Sequence, residues 1–121
     1  MQIFSASMAS FCRTMPLGQA VRLVAQAGFT GLDVPLSVYG SREGDPLLCE
    51  GWEAWAQELA QFLGSAQLPA VQAHAPWRQS VPADFHDERP WEVYARCLQV
   101  CRLLGCRQLV LHPLRHPARV E

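Results

Sequence analysis

The feature that most constrains the fold is a regular alternation of short apolar runs and amphipathic stretches along the 121-residue chain. Four short β-prone runs occupy residues 2–6, 31–36, 68–75 and 108–113. Three stretches with helical spacing of apolar residues lie between them, at residues 16–28, 50–67 and 91–104. Strands that alternate with helices in this way predict a parallel sheet joined by right-handed crossovers.

This alternation predicts an α/β fold, namely a partial (β/α)8 TIM barrel with about four parallel strands and three crossover helices, in one domain over residues 1–121. A complete barrel takes about 250 residues, so we expect the chain to be the N-terminal half of one. An open sheet of four strands leaves two unpaired edges and an uncovered face. We therefore expect either a fragment of a longer barrel or a chain that pairs with another copy as a homo-oligomer.

Composition excludes several classes of function. Half of the residues are hydrophobic, 17% are charged, and the formal net charge is −1. This balance gives no electrostatic footprint for nucleic acid or for an anionic membrane surface. We find no apolar run long enough to span a bilayer and no secretory signal, so we predict a cytoplasmic protein whose five cysteines are reduced thiols.

Polar side chains stand near the carboxyl ends of three predicted strands. Asp33 lies in the second strand, His74 ends the third, and His112 lies at the end of the fourth. Because side chains alternate along a strand, His74 is expected to share a face with Gln72 and Ala70, and Asp33 to oppose Leu32 and Val34. Barrel enzymes build their sites at this end of the sheet. The sequence therefore predicts that Asp33, His74 and His112 converge at one mouth.

These residue types suit two kinds of chemistry, and each has a structural alternative. Imidazole nitrogens and carboxylate oxygens bind divalent metals, and a histidine can act as a general base. A single histidine at a strand end is, however, more often a hydrogen-bonded structural residue, and Asp33 could be a turn or capping residue. Trp77, which follows the third strand, could flank a sugar ring or cover the mouth of the barrel.

Three segments give the chain a family resemblance. The stretches AGFTGLDV, AHAPW and LLGCRQLVLHP resemble the second, third and fourth strands of the xylose isomerase-like barrel superfamily. The resemblance runs from Gln2 to Pro113. Each motif is short, but their order and spacing together are fairly specific. The superfamily includes sugar phosphate isomerases and epimerases, hydroxypyruvate isomerase-like proteins and type IV AP endonucleases.

The resemblance implies a metal-dependent aldose–ketose isomerisation or epimerisation of a small sugar or hydroxy-keto acid by the complete barrel. It places His74 and His112 as catalytic residues and as partial ligands of a divalent metal (Zn, Mn or Mg), with Trp77 and Asp33 as substrate-binding residues. Asp33 stands where the family usually has Glu. The family's main ligands, two Glu, an Asp and a His, come from later strands that this chain lacks, so we expect the chain by itself to be inactive.

Two other interpretations remain open. The first is a non-catalytic half-barrel, either self-associating or a truncated remnant. The second is one half of an AP endonuclease IV-like zinc hydrolase. The endonuclease branch tends to carry Tyr and a downstream Asn after its third-strand histidine, where this chain has HAPWRQSV. The balanced charge also gives no phosphate-backbone footprint, so the sugar branch is favoured.

Overall fold

The structure, a computed structural model, describes residues 2–77 and 88–112. In chain order the strands and helices are β1 (Ser5–Ser7), α1 (Leu17–Gln26), β2 (Gly31–Val34), α2 (Trp52–Ser65), β3 (Ala70–His74), α3 (Arg89–Leu104) and β4 (Leu109–Val110). Two 3-10 turns, Cys12–Thr14 and Pro46–Leu48, lie in the loops that follow β1 and β2. The predicted fold class, α/β, is confirmed, with four strands and three crossover helices in the described residues.

All four strands are parallel, and their order in the sheet is β1-β2-β3-β4. Each neighbouring pair is joined through one helix, as parallel strands require. The core lies between the sheet and the helices, and Leu32, Val34, Ala73, Leu59 and Val100 are all fully buried there. Because successive strands are also spatial neighbours, the carboxyl ends of the strands lie side by side along one edge.

The first helix follows its sequence pattern closely. Pro16 precedes α1, Ala20, Val21 and Val24 are buried, and Gly28 adopts φ +92° just beyond the helix end. Helices commonly end in a residue with this left-handed backbone conformation, and glycine is the residue most often found there. Ala27 is exposed, because it caps the helix and lies beyond its last turn.

The other two helices differ from their predicted limits by about one half-turn. The predicted helix at 50–67 is observed as α2 from Trp52 to Ser65. The third helix begins at Arg89 rather than Trp91, since Pro90 fits the first turn, where no backbone N–H is needed. It ends as expected before Gly105, which adopts φ +68°.

Two strands are shorter or displaced relative to the sequence prediction. The first strand is Ser5–Ser7 rather than residues 2–6, because its partner β2 begins only at Gly31, opposite Ser5. The fourth strand was predicted over residues 108–113, but only Leu109–Val110 pair with β3. Ala73 and Ala75 donate to the carbonyls of Gln108 and Val110, and strand pairing with β3 extends no further than Val110. Pro113, the predicted strand end, lies outside the described residues.

A bulge between β2 and β3 alters which side chains share a face. Leu32 pairs with Ala70, yet the next residue, Asp33, pairs with Gln72, so β3 carries one extra residue at Val71. Ala70 is therefore buried in the core instead of sharing a face with His74, which corrects the simple alternation expected for this strand. Val71 instead lies beside Gly31, where an added Cβ would come within 2.8 Å of its Cγ1.

Two expectations from composition concerned the state of the cysteines and the absence of a membrane span. Cys97, Cys101 and Cys106 are buried, Cys49 is exposed, and all five cysteines are free thiols. None of the helices within residues 2–77 and 88–112 combines the length and the apolarity that crossing a bilayer would need.

Candidate functional site

Asp33 and His74 form a hydrogen-bonded pair at the carboxyl ends of β2 and β3. The Asp33 Oδ1 atom lies 2.9 Å from His74 Nδ1. An ionised carboxylate can only accept, so Nδ1 carries the hydrogen in this contact. The other ring nitrogen, Nε2, is then an acceptor. The side chain of His74 keeps 37% of its surface exposed against 19% for Asp33, so the imidazole is the member of the pair that meets solvent.

Gln72 completes the support of Asp33. Its Nε2 atom donates to Asp33 Oδ2 over 3.1 Å, so both carboxylate oxygens have partners. Gln72 was expected on the His74 face, but it was not predicted as a member of the site. The sequence signal was available, because a polar side chain two residues before a strand-end histidine points to the same face. The carboxylate is thus held in place from two positions on β3.

His112 and Trp77 form the second part of the site. Their rings stack with centroids 3.7 Å apart and an angle of 10° between the planes. His112 lies two residues beyond β4, so it reaches this position from the chain that follows the strand. Trp77 remains 51% exposed although His112 covers one face of its ring. A ligand can therefore meet the other face or the edge of the indole.

Both pairs open into one cleft of about 230 Å³ at the carboxyl edge of the sheet. Its lining residues are Ser7, Ala9, Asp33, Pro35, Ser37, His74, Ala75, Trp77 and His112. The predicted convergence of Asp33, His74 and His112 at one mouth is confirmed. Their catalytic, metal-binding and substrate-binding roles, and that of Trp77, stay predictions. Leu111 is half exposed, since no helix of the described part follows β4.

The described side chains at the cleft offer few donors for a metal ion. Within residues 2–77 and 88–112, no three His, Cys, Asp or Glu side chains are arranged to hold a metal ion. Asp33 is already engaged by His74 and Gln72. The described residues therefore do not fit a complete divalent metal site, and the partial role given to His74 and His112 stays a prediction.

A second cleft of about 390 Å³ lies beside the first, and it was missed by the sequence analysis. Arg13 forms a two-pronged ion pair with Asp45, with N–O distances of 2.7 and 2.9 Å, and also donates to the carbonyl of Val38. Asp45 is buried, which by itself raises the pKa of its carboxyl. The Arg13 guanidinium and the backbone N–H groups of Arg42 and Ser41 outweigh that effect and hold the pKa below its ordinary value.

The fold and the site together define an α/β domain with a polar cleft at the carboxyl edge of a parallel sheet. No protein-family model matches this chain, and no curated protein matches it either. A solved structure does: the apo form of 3-keto-D-glucoside 4-epimerase, YcjR, from E. coli, at a TM-score of 0.51 and 16% identity. The match covers 78% of this chain and 32% of that one. At this identity the likeness shows a shared fold.

Proposed function

We propose that this chain forms part of a sugar isomerase or epimerase of the xylose isomerase-like barrel type, with the cleft at His74 as its sugar site. The single observation that carries the proposal is the Asp33–His74 pair, 2.9 Å apart, facing an open polar cleft. The fold shared with a protein that is named as a sugar epimerase supports it. The substrate would be a small sugar or a hydroxy-keto acid.

The chemistry follows from the orientation of His74. Isomerisation of an aldose to a ketose, or epimerisation beside a carbonyl, removes a proton from carbon and returns one to the same or the neighbouring carbon. Imidazole is the side chain that exchanges protons near neutral pH. Asp33 holds the Nδ1–H, which leaves the lone pair of Nε2 directed away from the carboxylate. Asp33 also stabilises the imidazolium that forms when His74 accepts a proton.

Trp77 and His112 would form the wall of the sugar site. An indole ring presents a flat apolar face of the kind that covers the C–H side of a sugar. The stack with His112 fixes the orientation of that ring. We assign no step to a metal, because the described donors do not make a complete site. If the complete barrel uses a divalent metal, other residues must supply most of its ligands.

Catalysis by the chain alone is expected to be weak or absent. The chain spans about a third of the YcjR structure that it matches, so the groups that complete an active site would come from elsewhere. Metal-dependent turnover by the purified 121-residue chain, lost in His112→Ala, would contradict this expectation.

Binding tests the sugar site directly. The purified chain is titrated with D-fructose while the imidazole signals of His74 are followed by NMR. We expect the His74 signals to move and the movement to disappear in Trp77→Ala, since that variant removes the wall. Gln61→Ala, on the exposed face of α2, is the matched control and should bind as the unaltered chain does. Unchanged His74 signals up to molar sugar would refute the site.

A non-catalytic, self-associating half-barrel is the second candidate, and one observation favours it. Ile3 is 58% exposed and lies near Val71, on a face of the sheet that no helix of the described residues covers. A second copy packed on this face would bury these side chains. Sedimentation velocity distinguishes the two cases: a dimer that dissociates in Ile3→Lys supports pairing, and a monomer at all concentrations excludes it.

A further inference from the structure

The end of α3 is closed by a Schellman motif that places two cysteines beside each other. Gly105 adopts φ +68°, and its N–H donates to the Arg102 carbonyl over 3.3 Å. The Cys106 N–H donates to the Cys101 carbonyl over 2.9 Å. These two bonds define the motif, and the side chains of the residues that its longer bond joins commonly contact each other. Here that contact falls between Cys101 and Cys106.

The backbone geometry suits a disulfide between these two residues. Because the intervening bond lengths are fixed, a 2.9 Å bond from the Cys106 nitrogen to the Cys101 oxygen keeps the two Cα atoms within about 6.8 Å. Natural disulfides span Cα separations of about 4.4–6.8 Å. The two cysteines therefore lie within reach of each other in the folded chain.

The two thiols also interact directly. Both side chains are buried, with 6% of Cys101 and 8% of Cys106 exposed. Burial raises the pKa of the Cys101 thiol to about 12, and the charge of Cys106 and a side-chain hydrogen bond with it add to the rise. Such a hydrogen bond requires the two sulfur atoms to be neighbours. Cys97, fully buried one turn earlier on α3, is the alternative partner for Cys101.

We propose that Cys101 and Cys106 form a reversible disulfide across the end of α3, with a low-molecular-weight disulfide such as glutathione disulfide as the oxidant. This modification site lies outside the cleft at His74 and does not rest on the function proposed above.

The reaction consists of two thiol–disulfide exchanges. Cys106 reacts first, because it lies beyond the helix between the exposed residues Gly105 and Arg107. Its thiolate attacks one sulfur of glutathione disulfide, and a glutathione thiolate leaves. The Cys101 thiolate then attacks the Cys106 sulfur and releases the second glutathione. The two cysteine protons pass to the two glutathione thiolates, so two protein thiols are oxidised while one glutathione disulfide is reduced.

One backbone carbonyl links this site to the sheet. The Cys106 Sγ donates to the Gln108 carbonyl over 3.4 Å, and the same carbonyl accepts the Ala73 N–H over 2.9 Å. Oxidation removes the S–H hydrogen and with it one of these two donors. The Ala73 amide, next to His74 on β3, therefore reports the oxidation state of Cys106.

The test uses the 121-residue chain with Cys49→Ser, since the exposed Cys49 would otherwise join separate chains. The folded chain is equilibrated with mixtures of reduced glutathione and glutathione disulfide, quenched with acid, alkylated in denaturant and digested with trypsin. Cleavage after Arg102 separates the peptide with Cys101 from the peptide with Cys106. We expect these peptides to be joined, with an equilibrium constant about tenfold larger in the folded chain than in urea.

Two further variants identify the partners. Cys97→Ala removes the neighbouring thiol of the same helix and is the matched control, so the link should form with an unchanged constant. Cys106→Ala should abolish the link and leave Cys101 as a free thiol. The backbone NMR signal of Ala73 should move on oxidation, and the same treatment should leave it in place in Cys106→Ala.

Four results would overturn the proposal. They are thiols that stay reduced at every glutathione ratio, a link that disappears in Cys97→Ala, equal constants in the folded chain and in urea, and glutathione retained on Cys106 without a link. The last result would mean that Cys101 cannot reach the Cys106 sulfur.

Discussion

The Nδ1 atom of His74 lies 2.9 Å from Oδ1 of Asp33, and Gln72 donates to the second oxygen of the same carboxylate. The three side chains form a short chain of contacts across β2 and β3, in which Gln72 touches the carboxylate and the carboxylate touches the imidazole. His74 is therefore held in one tautomer by a neighbour that is itself held in place.

This arrangement predicts that Asp33 controls the tautomer of His74. In the unaltered chain, the hydrogen of neutral His74 should reside on Nδ1, which is observable in the ¹⁵N shifts of the imidazole. In Asp33→Ala we expect a mixture in which the hydrogen on Nε2 is the major form, as in free imidazole side chains. Gln72→Leu is the control: it removes a partner of Asp33 but not of His74, and it should keep hydrogen on Nδ1. An unchanged tautomer in Asp33→Ala would show that Asp33 does not determine which ring nitrogen of His74 carries the hydrogen.

The ion pair between Arg13 and Asp45 predicts a loss of stability in acid. The pKa of Asp45 is lowered from its ordinary 3.8, so the ion pair stabilises the folded chain above that value. This stabilisation is lost as the pH falls below 3.8 and passes through the lowered pKa of Asp45 in the folded chain, because the carboxylate then becomes protonated. Asp45→Asn should cost about 1–3 kcal/mol in urea unfolding at pH 7, and the cost should shrink as the pH is lowered below 3.8.

The control for this prediction is Glu43→Gln. Glu43 also pairs with an arginine, but its side chain is 70% exposed, so the change should cost less than about 1 kcal/mol at any pH. Equal losses in the two variants would show that burial of Asp45 adds nothing to the strength of its ion pair.

Two helix glycines are expected to respond in opposite directions to the same substitution. A Cβ on Gly18 would lie 2.5 Å from Cε1 of Phe62, whereas a Cβ on Gly64 would meet nothing within 4 Å. Gly64→Ala should stabilise α2 by about 0.5–1 kcal/mol through helix propensity. Gly18→Ala should cost about 1 kcal/mol, because the clash with Phe62 exceeds the same gain. Thermal unfolding measures both, and Phe62→Leu should remove the penalty at Gly18.

The thiols are expected to differ sharply in reactivity. Burial raises the pKa of Cys97 to about 12, and the same cause raises that of Cys101 to about 12, so neither forms thiolate at pH 8. Cys49 is exposed. Alkylation with iodoacetamide at pH 8, followed by mass spectrometry, should modify Cys49 first and reach Cys97 and Cys101 only after urea is added. Rapid modification of Cys97 in the native chain would contradict its buried position.

Periodicity was sufficient to predict the order of elements and the convergence of Asp33, His74 and His112. The order of elements follows from local apolar patterns, and the convergence follows because the carboxyl ends of parallel strands lie at the same edge of the sheet. The short β4 could not be predicted, because its length depends on its pairing with β3, which lies on the far side of α3 in the sequence. The pair of Arg13 with Asp45 joins two separate loops, and no local pattern signals such a contact.

The extra residue at Val71 shifts the alternation of side chains between the two faces of β3. The residues before it and after it therefore follow different in–out patterns. Ala70 belongs to the buried layer under the helices, and His74 belongs to the open side, although they are an even number of positions apart. In a regular strand, Ala70 and His74 would face the same side of the sheet. They could not then lie one in the core and the other on the open side. The direction in which the imidazole points is thus determined three residues earlier in the chain, by a valine that does not line the cleft at His74.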